Sequence, residues 1–232
     1  MQRNIEKKYY QIAIDGPAGS GKSTIARLLA KKHSFLYIDS GAMYRAVTFY
    51  MLKEKMLNSS DVQLKKHLHK LKVDFANKGA IQLIYLNNKN ITAEIRRPII
   101  NKWVSEISAK KVVREELVKR QKRFALYSSI VMDGRDIGSN VFKNADLKIY
   151  LTASSYVRAK RRKEDLNKLS EKTTLKDLEE QIQRRDDYDS SREISPLHKV
   201  QEAIVIDSTN LNIKQVLEEI SSFLPYNKTA RF

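Results

Sequence analysis

At 232 residues, with 41% hydrophobic and 31% charged side chains, the chain has the composition of a globular protein large enough for one α/β core and a modest appended subdomain, not of a disordered segment. It has no cysteine, which excludes a disulfide framework, a thiolate metal site and a cysteine nucleophile, and no apolar run approaches the roughly 20 residues of a membrane span. Lys+Arg 44 against Asp+Glu 27 gives a net charge of +17, which suits nucleic acid, a membrane surface or a polyanionic small substrate, and equally a lysine-rich solvated surface.

Met1 to Lys8 are polar and charged and lack the apolar stretch of a signal peptide, so a cytoplasmic protein is expected. Tyr10 to Asp15 then reads as a buried strand. It runs into Gly16-Pro17-Ala18-Gly19-Ser20-Gly21-Lys22-Ser23-Thr24, a full match to G-x-x-x-x-G-K-[ST], and a helical pattern covers Ser23 to His33. Strand before and helix after are the context a phosphate-cradling loop requires. Glycines let backbone N–H groups turn inward on phosphates, and the helix amino terminus adds a favourable dipole. Lys22 supplies a point charge to the β- and γ-phosphates, and Ser23 offers a hydroxyl to Mg²⁺. Nucleotide binding follows. The loop alone does not choose among kinases, GTPases and ATPases. No Asn-Lys-x-Asp guanine-reading motif is present, since Asn87-Asn88-Lys89-Asn90 lacks the aspartate, and a small-molecule kinase is the economical reading.

Phe35 to Asp39 is the second strand and Ala42 to Lys55 the second helix. Between them Ser40 reads as a helix cap, and Arg45 lies one turn into the helix, where it could reach an anion held over the sheet. A capped helix with a surface arginine is the plain alternative. Leu71 to Ile95 breaks the alternation: strand Lys72 to Phe75, turn Asn77-Lys78-Gly79, strand Ile81 to Leu86, turn Asn87-Asn88 and strand Asn90 to Ala93 predict a small antiparallel insertion. Ile99 to Tyr127, which holds Trp103, is two helices or one bent one.

The third strand, Ile130 to Asp133, leads directly into Arg135-Asp136. The two could form a local ion pair, or could divide a task, with Arg135 on a phosphate and Asp136 accepting from an exocyclic amine. A carboxylate accepts from cytosine N4 but meets a repelling carbonyl on uracil. Leu147 to Leu151 is the fourth strand, followed by a basic helix from Tyr156 to Leu169. Its Arg158, Arg161 and Arg162 are either a solvated face or, beside a phosphate loop, part of a mobile lid over the triphosphate. Within the helix Leu175 to Asp189 and just past it, Arg185, Asp189 and Arg192 fall at i, i+4, i+7 and share one face if helical. The alternative is a salt-bridge ladder worth about 0.2–0.5 kcal/mol per pair. Ala203 to Asp207 and Ile213 to Phe223 complete the strands and helices. Four of the five strand runs end in aspartate followed by Gly or Ser, at the carboxyl ends where open α/β sheets bind ligands. The alternation predicts a doubly wound sheet.

The ordered set IAIDGPAGSGKST, DSGAMYRA, ITAEIR, VREELVKRQ, VMDGRDIG, RRDDYDSSR and IVIDST, spread from about Ile12 to Leu224, resembles the bacterial-type cytidylate kinases. The resemblance implies an α/β P-loop NTPase-like nucleoside monophosphate kinase fold: a five-stranded parallel sheet with helices on both faces, a small antiparallel insertion and a mobile lid. It implies one kinase domain over 1–232, with a core at about 9–40, 99–153 and 195–224. The monophosphate-binding region would be about 41–98, including the insertion at 71–95, and the lid about 154–190. By the same resemblance Ser40 and Gly41 line the acceptor site, and Arg45 and Arg135 hold its phosphate. Ser105, Arg114 and Asp136 read cytosine. Arg185 and Asp189 contact the ribose, with Arg192 near the phosphate. Lys22, Arg135, Arg158 and Arg162 would stabilise the transfer, Arg161 would complete the lid, and Asp133 would stand behind Mg²⁺. The implied reaction is ATP plus CMP or dCMP giving ADP and the diphosphate, in a monomeric enzyme. The acceptor oxygen is already ionised, so no general base is needed, and His33, His67, His69 and His198 are read as surface or structural. The chain departs from the family pattern at Arg97-Pro98 and at the bulky Trp103. Other readings are a kinase of another acceptor such as UMP or AMP, and a nucleic-acid-binding P-loop protein. Against the second stand the absence of a recognition motif and an aromatic content of 8%.

Overall fold

The computed structural model describes residues 9–78, 81–167 and 173–224. The contiguous apolar runs become parallel strands and the periodic segments between them become helices. In chain order, β1 (Gln11–Asp15) feeds α1 (Lys22–His33), and β2 (Leu36–Asp39) feeds α2 (Ser40–Lys53) and α3 (Asp61–Lys70). A hairpin region follows, with β3 (Val73–Lys78), β4 (Ile81–Leu86) and β5 (Lys89–Asn90), closed by a 3₁₀ turn at Glu94–Arg96. Then come α4 (Pro98–Ala109), α5 (Lys111–Phe124), β6 (Ile130–Gly134) and a single π turn at Ile137–Val141. The chain continues through β7 (Leu147–Thr152), α6 (Ser155–Asn167), α7 (Leu175–Ser191), β8 (Ile204–Asp207) and α8 (Ile213–Ser222).

The main sheet is parallel, in the order β2-β6-β1-β7-β8. Register sets Ile14 opposite both Asp133 and Ile149, and Asp15 opposite both Gly134 and Tyr150, so the polar carboxyl ends of the three central strands lie level. Ile12, Ile14, Val131, Ile149, Leu151 and Ile206 pack with Ile25 and Leu29 of α1 and with Val216 and Ile220 of α8 in one buried cluster. Full burial of each such side chain stabilises by about 1.5–3 kcal/mol. The chain groups into two compact units, residues 1–37 with 124–232, and residues 38–123, with the division falling inside β2. Residues 99–123, expected with the core, group with the second unit. Among the described residues no helix is long and apolar enough to cross a membrane.

Several local expectations need correction. The turn expected at Asn77-Lys78-Gly79 begins later: Asn77 and Lys78 still pair with Gln82 and Ile81, and Gly79 lies outside the described residues. The third hairpin strand is Lys89–Asn90, not Asn90 to Ala93. It ends because Asn90 Oδ1 accepts from the Thr92 N–H at 3.0 Å and from its hydroxyl at 2.7 Å, which turns the chain out of the ladder. Ile99 to Tyr127 resolves into two helices that break at Lys110. The departure at Arg97-Pro98 begins α4, with extended Arg97 as cap and proline first, where its missing N–H costs nothing. Helix α3 was not foreseen. It carries two buried leucines, Leu64 and Leu68, and opens on a capping box in which the Ser60 hydroxyl accepts from the Gln63 N–H.

Candidate active site

The phosphate loop joins β1 to α1 through three glycines at positive φ: Gly16 (147°), Gly19 (76°) and Gly21 (93°). At Gly16 the requirement is also steric, because a Cβ there would stand 2.1 Å from the Leu151 carbonyl oxygen. Among the described residues the N–H groups of Gly19, Ser20, Gly21 and Lys22 have no acceptor, so the loop offers a run of inward donors at a helix amino terminus. The Lys22 amine is folded onto the loop, donating to the Pro17 carbonyl at 2.6 Å and to Ser20 Oγ at 3.3 Å. Burial lowers its pKa well below the usual lysine range. Arg135 adds to this, and Asp133 and Asp186 partly offset it.

Below the loop, Ser23 Oγ donates to Asp133 Oδ2 at 2.7 Å, and the Tyr37 hydroxyl donates to Oδ1 at 3.0 Å. Asp133, near the end of β6, is thus fixed by two hydroxyls. A hydroxyl and one carboxylate are hard oxygen donors, and no cluster of three or more His, Cys, Asp or Glu occurs among the described residues. That donor set fits Mg²⁺, which keeps several waters and takes phosphate oxygens, and does not fit a metal needing an all-protein cage.

The loop's Ala18 is gripped from α6 and α7. Asp186 Oδ1 accepts the Ala18 N–H at 2.9 Å, while Arg158 Nη1 donates to the Ala18 carbonyl at 3.0 Å and also to Asp186 Oδ2. Arg158 Nε donates to the Ala153 carbonyl at 3.0 Å. Expected to face the triphosphate, Arg158 is instead 7% exposed, with Asp186 at 8%. Arg161 donates to the Ser208 carbonyl at 2.7 Å and to Ser208 Oγ at 2.9 Å, with a longer bond to the Ser20 carbonyl. Arg162 is half-buried and has no hydrogen bond or ion pair among the described residues.

The turn after β6 is tied to β1. Asp15 accepts from the Ile137 N–H at 2.8 Å with one oxygen and from the Gly138 N–H at 2.7 Å with the other. Burial pushes Asp15 up to about 6, although both N–H groups pull the other way. Asp136, 4% exposed, receives the Asn140 side-chain amide at 3.2 Å, and that amide also donates to Ser195 Oγ at 3.1 Å. Arg135 therefore does not form the local pair with Asp136 that sequence left open. Its Nε donates to Asp189 Oδ2 at 2.9 Å. Asp189 also lies 3.6 Å from Arg192 and 4.0 Å from Arg185. Burial raises the Asp189 carboxyl, but these three guanidiniums outweigh it and hold its pKa below the usual carboxylate range. Three arginines around one aspartate leave a local excess of positive charge. Arg192 caps the carboxyl end of α7 and is not part of the helix.

In the second unit, the cap of α2 is Asp39, not Ser40. Its Oδ1 accepts the Ala42 N–H at 2.9 Å, and a carboxylate at that helix end suits the dipole as well as the donor. Ser40 becomes the first helical residue, 3% exposed. Arg45 reaches back to Asp39 Oδ2 at 3.2 Å across Gly41, where a Cβ would stand 3.1 Å from Asp39 Oδ1. Arg114 is 2% exposed, donates to the Ser108 carbonyl at 3.1 Å and lies 5.3 Å from the centre of the Tyr44 ring. The carbonyl of Ser105 receives the Ser108 hydroxyl at 2.9 Å, and the Ser105 side chain is half-buried.

Sequence reasoning missed Asp15, Tyr37, Asn140, Asp186 and Ser208 as parts of this site. Asp15 carried a signal, as an aspartate ending a strand, and Asp186 lies inside RRDDYDSSR. Ser208 lies inside IVIDST and Asn140 two residues past VMDGRDIG, but nothing local marks their partners.

The Cytidylate kinase family model matches residues 12–225. A cytidylate kinase of Bacillus cereus (strain ATCC 10987 / NRS 248) is 42% identical over 218 residues, which is 94% of this chain and 96% of the relative. One from Bacillus thuringiensis (strain Al Hakam) is 42% identical over 214 residues, 92% of this chain and 95% of the relative. Among solved structures, an uncharacterized protein from Eubacterium ventriosum ATCC 27560 superposes with a TM-score of 0.52 at 12% identity, covering 92% of this chain and 97% of that one, a likeness of fold.

Proposed function

The chain belongs to the cytidylate kinase family, and from that premise we propose that it transfers the γ-phosphoryl group of ATP to CMP and dCMP, giving ADP with CDP or dCDP. The observation that carries this reading is the pairing of a complete phosphate loop with a separate arginine cluster beside a buried, base-competent aspartate, all in one compact unit. The loop's free N–H groups and Lys22 suit the donor's phosphates. For this the Lys22 amine leaves the Pro17 carbonyl, and an arriving polyanion favours its charged form. Ser23, backed by Asp133, would hold Mg²⁺, which when bound supplies charge neutralisation between the phosphates.

The acceptor side follows the same logic. Arg135, Arg185 and Arg192 offer a local positive excess to the monophosphate, and Asp189 arrays them; a ribose contact from Asp189 comes second to that task. Asp136 accepts from cytosine N4, and uracil's O4 would face it with like polarity. By the family resemblance Ser40 and Gly41 line the acceptor site, Arg45 holds its phosphate, and Ser105 and Arg114 read cytosine. Arg162 is the lid cation proposed for the triphosphate. Closure of the 154–190 segment would keep water from competing as acceptor. The reading takes the enzyme as a monomer acting in the cytoplasm, consistent with the absence of cysteine.

The test is Asp136→Ala. Loss of one base-reading contact, about 1–3 kcal/mol, should raise KM for CMP by roughly 5- to 150-fold and leave KM for ATP near its original value. Equal rises for both substrates would remove the base-reading role.

A further inference from the structure

Ala18 is held by side chains from outside the phosphate loop at both of its backbone polar atoms. Its N–H is taken by Asp186 and its carbonyl by Arg158, and the two side chains are paired with each other. Its methyl is packed into a small separate cluster with Ala159 of α6 and Leu178 and Ile182 of α7. The next residue, Gly19, is pressed against α6 as well, since a Cβ there would stand 3.0 Å from the Arg158 carbonyl oxygen and 3.1 Å from its Cβ. The Pro17–Ala18 peptide is thus held at its N–H and the Ala18–Gly19 peptide at its C=O, so the two peptide planes on either side of the Ala18 Cα have little freedom to rotate, and they lead directly into the N–H groups left for an anion.

We propose that Arg158 and Asp186 are positioning residues for ATP: a buried ion pair that fixes the two peptides flanking Ala18 and thereby aims the N–H groups of the loop that follow. Neither residue needs to touch the nucleotide. The bonds already made account for Arg158 Nη1 and Nε and for both Asp186 oxygens. A guanidinium is required because its planar fork serves the Asp186 carboxylate and two carbonyls at once, which a lysine ammonium on a flexible stem would not reproduce. This rests on the reading of the loop as the ATP site and is independent of which monophosphate accepts.

The variants are Asp186→Asn and Arg158→Lys, with Arg158→Met/Asp186→Leu as a third. Removing one partner of a buried pair leaves an uncompensated charge, whereas replacing both with apolar side chains often restores stability. The apolar double variant therefore separates folding from aiming. ATP·Mg²⁺ binding is measured by calorimetry without acceptor, together with KM for ATP and for CMP, well below each variant's melting temperature. The expected result is an affinity for ATP weakened about tenfold or more in all three, including the stable double variant, with KM for CMP within about twofold of wild type. ATP affinity within twofold of wild type in the double variant would overturn the proposal and leave the pair a matter of stability alone. So would parallel losses for ATP and CMP. A wild-type protein that binds ATP but does not turn over CMP would sink the acceptor assignment and leave this test intact.

Discussion

Asp15 illustrates how a single carboxylate links two tasks. It ends the strand that delivers the phosphate loop, and both of its oxygens hold the turn that follows Asp136. Its pKa, raised to about 6 by burial, gives a stability prediction with a definite sign. An acid whose folded pKa exceeds its unfolded value of 3.8 contributes stability that is fully present below 3.8 and is lost as pH rises through 6. Between pH 7 and pH 5 the wild type should therefore gain about 1 kcal/mol relative to Asp15→Asn, which takes up no proton. Urea denaturation of both proteins at the two pH values measures this. An unchanged difference between them would mean that Asp15 titrates no differently folded and unfolded. The residue was legible as a strand-end aspartate, but its partners were not, because they lie 122 and 123 positions away. The same holds for Arg158. It reads as one more cation on a basic helix until Asp186, 28 positions on, is brought against it.

At the level of elements, short-range chemistry accounts for what was readable and what was not. Central strands β1 and β6 are legible because strands buried on both faces keep uninterrupted apolar runs, while β7 alternates and the edge strand β8 is read from its apolar 204–206 run although Val205 is exposed. Helix α3 escaped because its ten residues are mostly polar and only Leu64 and Leu68 are buried. Its start was nevertheless written in the sequence as Ser60-x-x-Gln63, with the Gln63 side chain accepting from the Ser60 N–H at 3.0 Å. Ser60→Ala should cost about 1 kcal/mol of stability and leave both Michaelis constants unchanged. Chemical denaturation beside steady-state kinetics checks it, and a change in KM for CMP would show that α3 does more than support its unit. The cap of α2 was misplaced by one residue for a related reason. Asp39 and Ser40 are both good caps, and only the direction of the Ala42 N–H decides between them.

For the molecule as a whole, the charge of +17 acquires a partial explanation. Arg135, Arg158, Arg185 and Arg192 are paired with Asp186 and Asp189, so part of the excess is gathered around two buried carboxylates and not spread over a solvated face. The family and the five-stranded sheet were legible from ordered motifs spanning nearly the chain. The grouping of 99–123 with the second unit was not, since helical periodicity does not say which core a helix joins. The central claim is that this chain phosphorylates cytidine monophosphates. It is tested most directly by ADP release with ATP·Mg²⁺ and each of CMP, dCMP, UMP, AMP and GMP as acceptor. The account predicts strong turnover with CMP and dCMP and far less with the others. Preference for UMP or a purine monophosphate, or release of ADP independent of any acceptor, would contradict it.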